Sequence, residues 1–204
     1  MTKQSIVIVM GSHRKNGNTK YFAEKLVEKL NLIDFYPQFI DINKLEVAHC
    51  IDCNFCKENW GKCVHKDDMI QVYDQLKNAD VLLIASPVYF NGVTSKLKTL
   101  VDRCQMIFLC DFEHHSPFVT QTDAEQKLGF IVSVGGANAY PNQFVGNEIT
   151  LKLVFDNLRV PLTEHYKYYG TDHSKLELRE AVTTDLDQIV EKIQLHISKI
   201  NLLE

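Results

Sequence analysis

Apolar and polar positions alternate along the chain in blocks, and the blocks come in two kinds. Short, almost wholly apolar runs lie at Ser5 to Met10, Val81 to Ala85 and Leu128 to Val134, with weaker ones near Gln38 to Ile42 and between Pro161 and Tyr169. Between them come longer stretches with helical spacing. In Thr19 to Leu30, Phe22, Leu26 and Leu30 recur at i, i+4 and i+8, with Ala23 and Val27 beside them. Further helices are expected after Asp67-Asp68 as far as Lys77, over Ser95 to Leu109, over Gln143 to Leu158 and over Lys175 to Ile200. Strands apolar on both faces are what a covered parallel sheet requires. Their alternation with helices predicts an α/β fold with a doubly wound parallel sheet. Nothing marks a linker or repeat, so residues 1–204 are expected to form one domain with a cysteine-rich insertion at about 46–66.

In such a sheet, ligands sit outside the carboxyl ends of the strands. Three loops are expected there: Gly11 to Thr19, Pro87 to Gly92 and Gly135 to Asn142. The first offers Ser12, Arg14, Asn16, Asn18 and Thr19 just before a helix N-terminus, where free backbone N–H groups and the helix dipole favour an anion. It lacks the Gly-Lys-Ser/Thr ending of a nucleoside-triphosphate loop and the three spaced glycines of a dinucleotide loop. A monophosphate remains. The second loop brings Pro87, Val88, Tyr89, Phe90 and Asn91, an aromatic edge for a flat ring; the third brings Gly135 and Gly136, where backbone can approach closely. Backbone amides near Val88 to Asn91 and Gly135 to Ala137 are expected to face that ring. Phosphate at one end and a planar ring between two loops describe FMN.

A net charge of −4 argues against a general nucleic-acid partner, and no apolar stretch approaches the ~20 residues of a membrane span. The start of the chain shows no secretory leader, so a cytoplasmic location is expected, and with it reduced thiols rather than structural disulfides. Four of the six cysteines, Cys50, Cys53, Cys56 and Cys63, follow a C-x2-C-x2-C-x6-C spacing that suits an iron–sulfur cluster better than zinc, while free thiols stay open. Cys104 and Cys110 read as buried small apolar groups, His114-His115 as a solvated pair, and Lys98, Asp102 and Arg103 as a helix ion pair or oligomer contact.

Gly11-Ser12-x-Arg14-x-Asn16-Gly17-Asn18-Thr19, Ser86-Pro87-Val88-Tyr89-Phe90, Leu97-Lys98-x-x-x-Asp102-Arg103 and Val134-Gly135-Gly136 resemble the NADPH-dependent FMN reductase family of flavodoxin-like proteins. The resemblance spans about residues 5 to 140. It implies strand order 2-1-3-4-5, non-covalent FMN, NAD(P)H as co-substrate and a small acceptor such as a quinone, nitro compound or flavin. A homodimer or homotetramer is also implied. Carried over by position, Ser12, Arg14, Asn18 and Thr19 match the phosphate loop, Pro87 to Phe90 the ring edge, and Gly135-Gly136 the third loop. The cysteine run is similar to that of iron–sulfur flavoproteins, which implies a [4Fe-4S] electron carrier as the alternative. Related reductases keep the form of Gly61-Lys62-Cys63-Val64-His65-Lys66-Asp67-Asp68-Met69 without an inferred cluster. A third reading is a non-catalytic FMN-binding regulator.

Overall fold

β1 (Gln4–Met10) is an inner strand of the sheet, and Ile6, Val7, Ile8 and Val9 are sealed from water on both of its faces. It pairs in parallel with β2 (Phe35–Asp41) on one side and β3 (Val81–Pro87) on the other; Ile8 lies opposite Phe39 and Leu83. β3 pairs with β4 (Leu128–Val134), and β4 with β5 (Leu162–Tyr168), giving five parallel strands in the order β2-β1-β3-β4-β5. This is the order the family resemblance implies. The computed structural model describes residues 3–30, 34–120 and 126–201.

Side chains of one strand point alternately to two cores. Ile6 and Ile8, with Leu83, Phe130 and Val132, pack under α1 (Asn18–Lys29) and the long last helix (Glu180–Asn201, here α7). Val7 and Val9, with Leu82, Ile84 and Ile131, pack under α3 (Met69–Lys77), α4 (Ser95–Arg103), α5 (Gln105–Phe112) and α6 (Val145–Asn157). A short α2 (Phe55–Glu58) lies within the cysteine stretch, and a 3-10 turn, Leu176–Leu178, precedes α7.

Two departures from the sequence expectation have local causes. β2 begins three residues before Gln38, through Pro37. Only its β1 side is paired, and an edge strand tolerates a residue without an N–H. The helix expected over Ser95 to Leu109 is two helices that meet at Cys104. There the Arg103 carbonyl accepts the Tyr73 hydroxyl at 2.7 Å, and the Cys104 N–H turns back to Val101 O at 2.9 Å, a tighter spacing than the α-helix uses.

Candidate functional site

The apolar run of β1 ends at Gly11, whose N–H donates to Ala85 O at 2.7 Å while its carbonyl accepts the buried Thr94 hydroxyl at 2.7 Å. A Cβ there would stand 2.6 Å from the Leu97 side chain and 3.0 Å from Ala85 O, so only glycine lets the loop lie this close to β3. The loop then folds on itself. Ser12 Oγ accepts the Arg14 N–H at 3.2 Å, and Asn43 from the end of β2 donates to Ser12 O at 2.8 Å. Gly17 precedes α1, and no side chain caps that helix start among the described residues. Asn18 Oδ1 accepts the Leu176 N–H at 3.0 Å, which turns the Asn18 amide so that its NH2 group is left to donate. Uncapped N–H groups, the Ser12 and Thr19 hydroxyls, the Asn18 amide and the Arg14 guanidinium are all suited to an anion.

The second loop carries local strain. Tyr89 and Gly92 exchange both backbone hydrogen bonds, at 2.8 and 2.9 Å, around Phe90 and Asn91, which sit at φ 51° and 59°. Two successive positive φ values make a tight turn of the I′ kind, unusual for phenylalanine. Asn91 is tied down by the Tyr140 hydroxyl at 2.5 Å and by the start of α6, where Gly146 lies against Asn91 O. Phe90 itself points fully into solvent.

The third loop is fastened to the segment after β5. Gly135 N–H donates to Tyr168 O at 2.6 Å, Gly170 N–H to Ala137 O at 2.6 Å, Thr171 N–H to Gly135 O at 3.1 Å and Asp172 N–H to Gly136 O at 3.1 Å. A Cβ on Gly136 would collide with the Asp172 carboxylate, so the glycine permits this closure. Behind it, buried Ser133 Oγ meets Asn147 Nδ2 at 3.1 Å and His165 Nε2 at 2.9 Å. Burial, with Lys167 nearby, lowers the His165 pKa to about 4 against the opposing pull of Glu148, so its ring is neutral at physiological pH.

These loops converge. One cleft of about 270 Å³ is lined by Ser12, Arg14, Asn18 and Thr19 of the first loop, by Pro87, Val88 and Tyr89 of the second, and by Gly136 of the third. Asn16 lies on neighbouring cavities instead, and Phe90, Asn91 and Gly135 are not on the cleft wall. Of the amides expected to face a ring, those of Val88, Tyr89 and Gly135 are bonded to Val134 O, Gly92 O and Tyr168 O; those of Gly136 and Ala137 have no partner among the described residues. Thr171 and Asp172 also line the cleft, although no motif of the sequence points to them. A signal is present in the topology, because the loop after β5 also leaves the carboxyl edge of the sheet.

The cysteine stretch forms a second site, away from this cleft. Cys50, Cys53, Cys56 and Cys63 line one cavity of about 220 Å³ against Phe108, Leu109 and Phe112 of α5. Asp52 and Asn54, between the cysteines, take φ 50° and 61° and wind the chain tightly. Burial, then the neighbouring Cys63, Cys50 and Cys53, push the Cys56 thiol up. Among the described residues no three His, Cys, Asp or Glu groups converge on one ion. A single zinc needs its thiolates about 2.3 Å from one point, whereas an iron–sulfur cluster is held by thiolates set around a larger body. The neck of the loop is closed by side chains. Arg103 grips both oxygens of Asp67 and donates to Ala48 O at 2.8 Å, Asp67 accepts the Ala48 N–H at 2.9 Å, and Asp68 accepts the Glu46 N–H at 2.8 Å. Arg103 is therefore an internal clamp rather than a partner of Asp102, which pairs with Lys98 at 2.6 Å. Trp60 donates to Ser116 O at 2.6 Å, which fixes the far side of the loop. Cys104 and Cys110 are buried as expected.

A parallel sheet of this order, with an anion-ready loop after β1 and a flat slot after β3 and β4, defines the flavodoxin-like proteins that hold a phosphorylated ring at the carboxyl edge. The model of the family described as NADPH-dependent FMN reductase matches residues 4–146, and the chain belongs to that family. An iron–sulfur flavoprotein of Methanocaldococcus jannaschii is 37% identical over 65% of this chain and 62% of its own length. The chain thus matches a little under two thirds of that relative. A second iron–sulfur flavoprotein of the same organism is 33% identical over 72% of this chain and 67% of its own. Among solved structures, the apo form of an NADH:FMN oxidoreductase superposes with TM-score 0.59 over 95% of this chain and 89% of its own, at 18% identity, which is a likeness of fold. Among the described residues no helix is long and apolar enough to cross a membrane.

Proposed function

We propose that the protein is an FMN-dependent oxidoreductase that takes a hydride from NAD(P)H and passes electrons to a small flat acceptor such as a quinone, a nitro compound or a flavin. The observation that carries this reading is the single cleft in which the anion-ready first loop meets the slot between Pro87-Val88-Tyr89 and Gly136-Ala137. Its donor set suits FMN: a dianionic phosphate fits the helix start with Ser12, Asn18, Thr19 and Arg14, and the closely approaching backbone at Gly136 suits a ring. FMN, when bound, supplies the hydride chemistry. The protein's part is placement. Arg14 and the α1 amides balance the phosphate charge, Tyr89 closes one ring edge, and the Gly136 and Ala137 amides stand free to donate to the other. No side chain is required as acid or base. Yellow protein that releases FMN on acid treatment and is bleached by NAD(P)H supports the reading; colourless protein that takes up no added FMN overturns it.

The cysteine loop favours a second reading, an electron carrier with a [4Fe-4S] cluster on Cys50, Cys53, Cys56 and Cys63. Four thiols on one cavity wall, on a tightly wound loop, support it, as do relatives that bear the name iron–sulfur flavoprotein. Iron analysis of anaerobically purified protein separates the two. About four irons per chain, lost in Cys53→Ala, supports the carrier; iron-free protein that turns over NAD(P)H excludes it. We also infer a homo-oligomer. Val145, Ile149 and Leu153 form an exposed apolar stripe along α6, next to the loop that bears exposed Phe90, and a second copy of the chain would cover both. Light scattering that gives a monomer contradicts this.

A further inference from the structure

The segment after β5 brings a carboxylate to the wall of the cleft. Arg14 and Asp172 are the two charged side chains among its lining residues. Arg14 belongs to the first loop, where a dianionic phosphate matches it. Asp172 stands at the third loop: both of its carboxylate oxygens lie where a Cβ on Gly136 would be. Its side chain enters no hydrogen bond or ion pair among the described residues. The negative charge is therefore unmatched, and it lies beside the Gly136 and Ala137 amides that have no partner of their own.

The backbone around this carboxylate is fastened from several sides. Besides the three N–H groups bonded to the third loop, Thr171 Oγ1 donates to Gly135 O at 3.1 Å. Arg179, just before α7, supplies the remaining hold. Its Nη1 donates to Tyr169 O at 2.8 Å, its Nη2 to Gly170 O at 3.0 Å and Ser174 O at 2.6 Å, and its Nε to Ser174 O at 3.1 Å. The guanidinium thus bonds backbone on both sides of Asp172 and leaves the carboxylate itself alone. An arginine that could have neutralised the charge holds it in place instead. A charge fixed in advance of the reaction costs no reorganisation when charge develops next to it.

We propose that Asp172 sets the reducing power of the bound flavin, an inference that rests on the FMN-dependent reading above. Reduction adds negative charge to the ring, and a carboxylate fixed at the third loop opposes that charge. The protein then binds reduced FMN less tightly, relative to oxidised FMN, than it would without Asp172. The electrons are passed on more readily for the same reason.

The test is the reduction potential of FMN bound to wild type, Asp172→Asn and Asp172→Glu, measured by equilibration with a redox dye, together with titration of oxidised FMN. Asp172 is exposed and bonded through its backbone, so both variants keep the fold. Asp172→Asn should retain oxidised FMN and shift the ratio of reduced to oxidised affinity about tenfold toward the reduced form. That is a rise of about 30 mV for a two-electron couple. Asp172→Glu, which keeps the charge, should stay near the wild-type potential. A wild-type potential in Asp172→Asn overturns the proposal. So does an equal rise in Asp172→Glu, which would make shape rather than charge the cause. Loss of oxidised FMN from Asp172→Asn also overturns it, because the carboxylate would then be holding the cofactor. If wild-type protein takes up no FMN, the oxidoreductase reading itself fails.

Discussion

Arg103 Nη1 and Nη2 bond the two carboxylate oxygens of Asp67 at 2.6 and 3.1 Å, with the arginine side chain only 1% exposed. This two-pronged pair joins α4 to the residue that ends the cysteine stretch, and through Ala48 it also grips the start of that stretch. Partial burial opposes ionisation of Asp67, but the Arg103 bond and the Ala48 and Met69 amides outweigh it and hold the carboxyl below its usual range. Arg103→Met alone should destabilise the protein by about 3–5 kcal/mol, because a charge is left without its partner. Asp67→Asn combined with Arg103→Met should lose clearly less. Urea melts of the two variants check the order.

The buried His165 gives a signed pH dependence. Its pKa of about 4 in the folded protein lies below the ordinary value near 6.5, so the unfolded chain binds the proton first as pH falls. This stability is complete above about pH 6.5 and declines from there to about pH 4, by roughly 3 kcal/mol in all. His165→Gln should flatten that part of the profile in urea melts. An unchanged slope would remove His165 as the cause.

Gly146 lies so close to Asn91 O that a Cβ would collide with that carbonyl. Gly146→Ala should therefore push out the Tyr89–Gly92 turn and cost about 1–3 kcal/mol of stability. Flavin affinity should fall with it, although residue 146 touches no part of the cleft. Fluorescence titration of FMN against the variant measures this directly.

Much of the fold can be read from the chain because the strands are buried on both faces, so Ile6 to Val9 and Val81 to Ala85 leave no alternative to an inner strand. The first loop is legible for a related reason, since so dense a set of donors between a strand and a helix has little other use. What the sequence hides are relationships set by tertiary contacts. Arg103 directly follows Asp102 and lies five residues after Lys98 on one helix, yet its partner is 36 residues away. Phe90 reads as a ring contact, but the two positive φ values that turn it outward follow from the Asn91 anchors rather than from its own preference. Thr171 and Asp172 reach the cleft only because β5 joins the sheet beside β4.

On the proposed function, the loop after β1 holds the phosphate of a flavin. Arg14→Ala combined with Thr19→Ala removes the loop's fixed charge and one of its hydroxyls while leaving the β1 core untouched. Flavin occupancy of the purified double variant, read by absorbance after loading with excess FMN and desalting, should fall at least tenfold against wild type, with far-UV circular dichroism unchanged. A folded double variant that retains full FMN occupancy would contradict the account at its base.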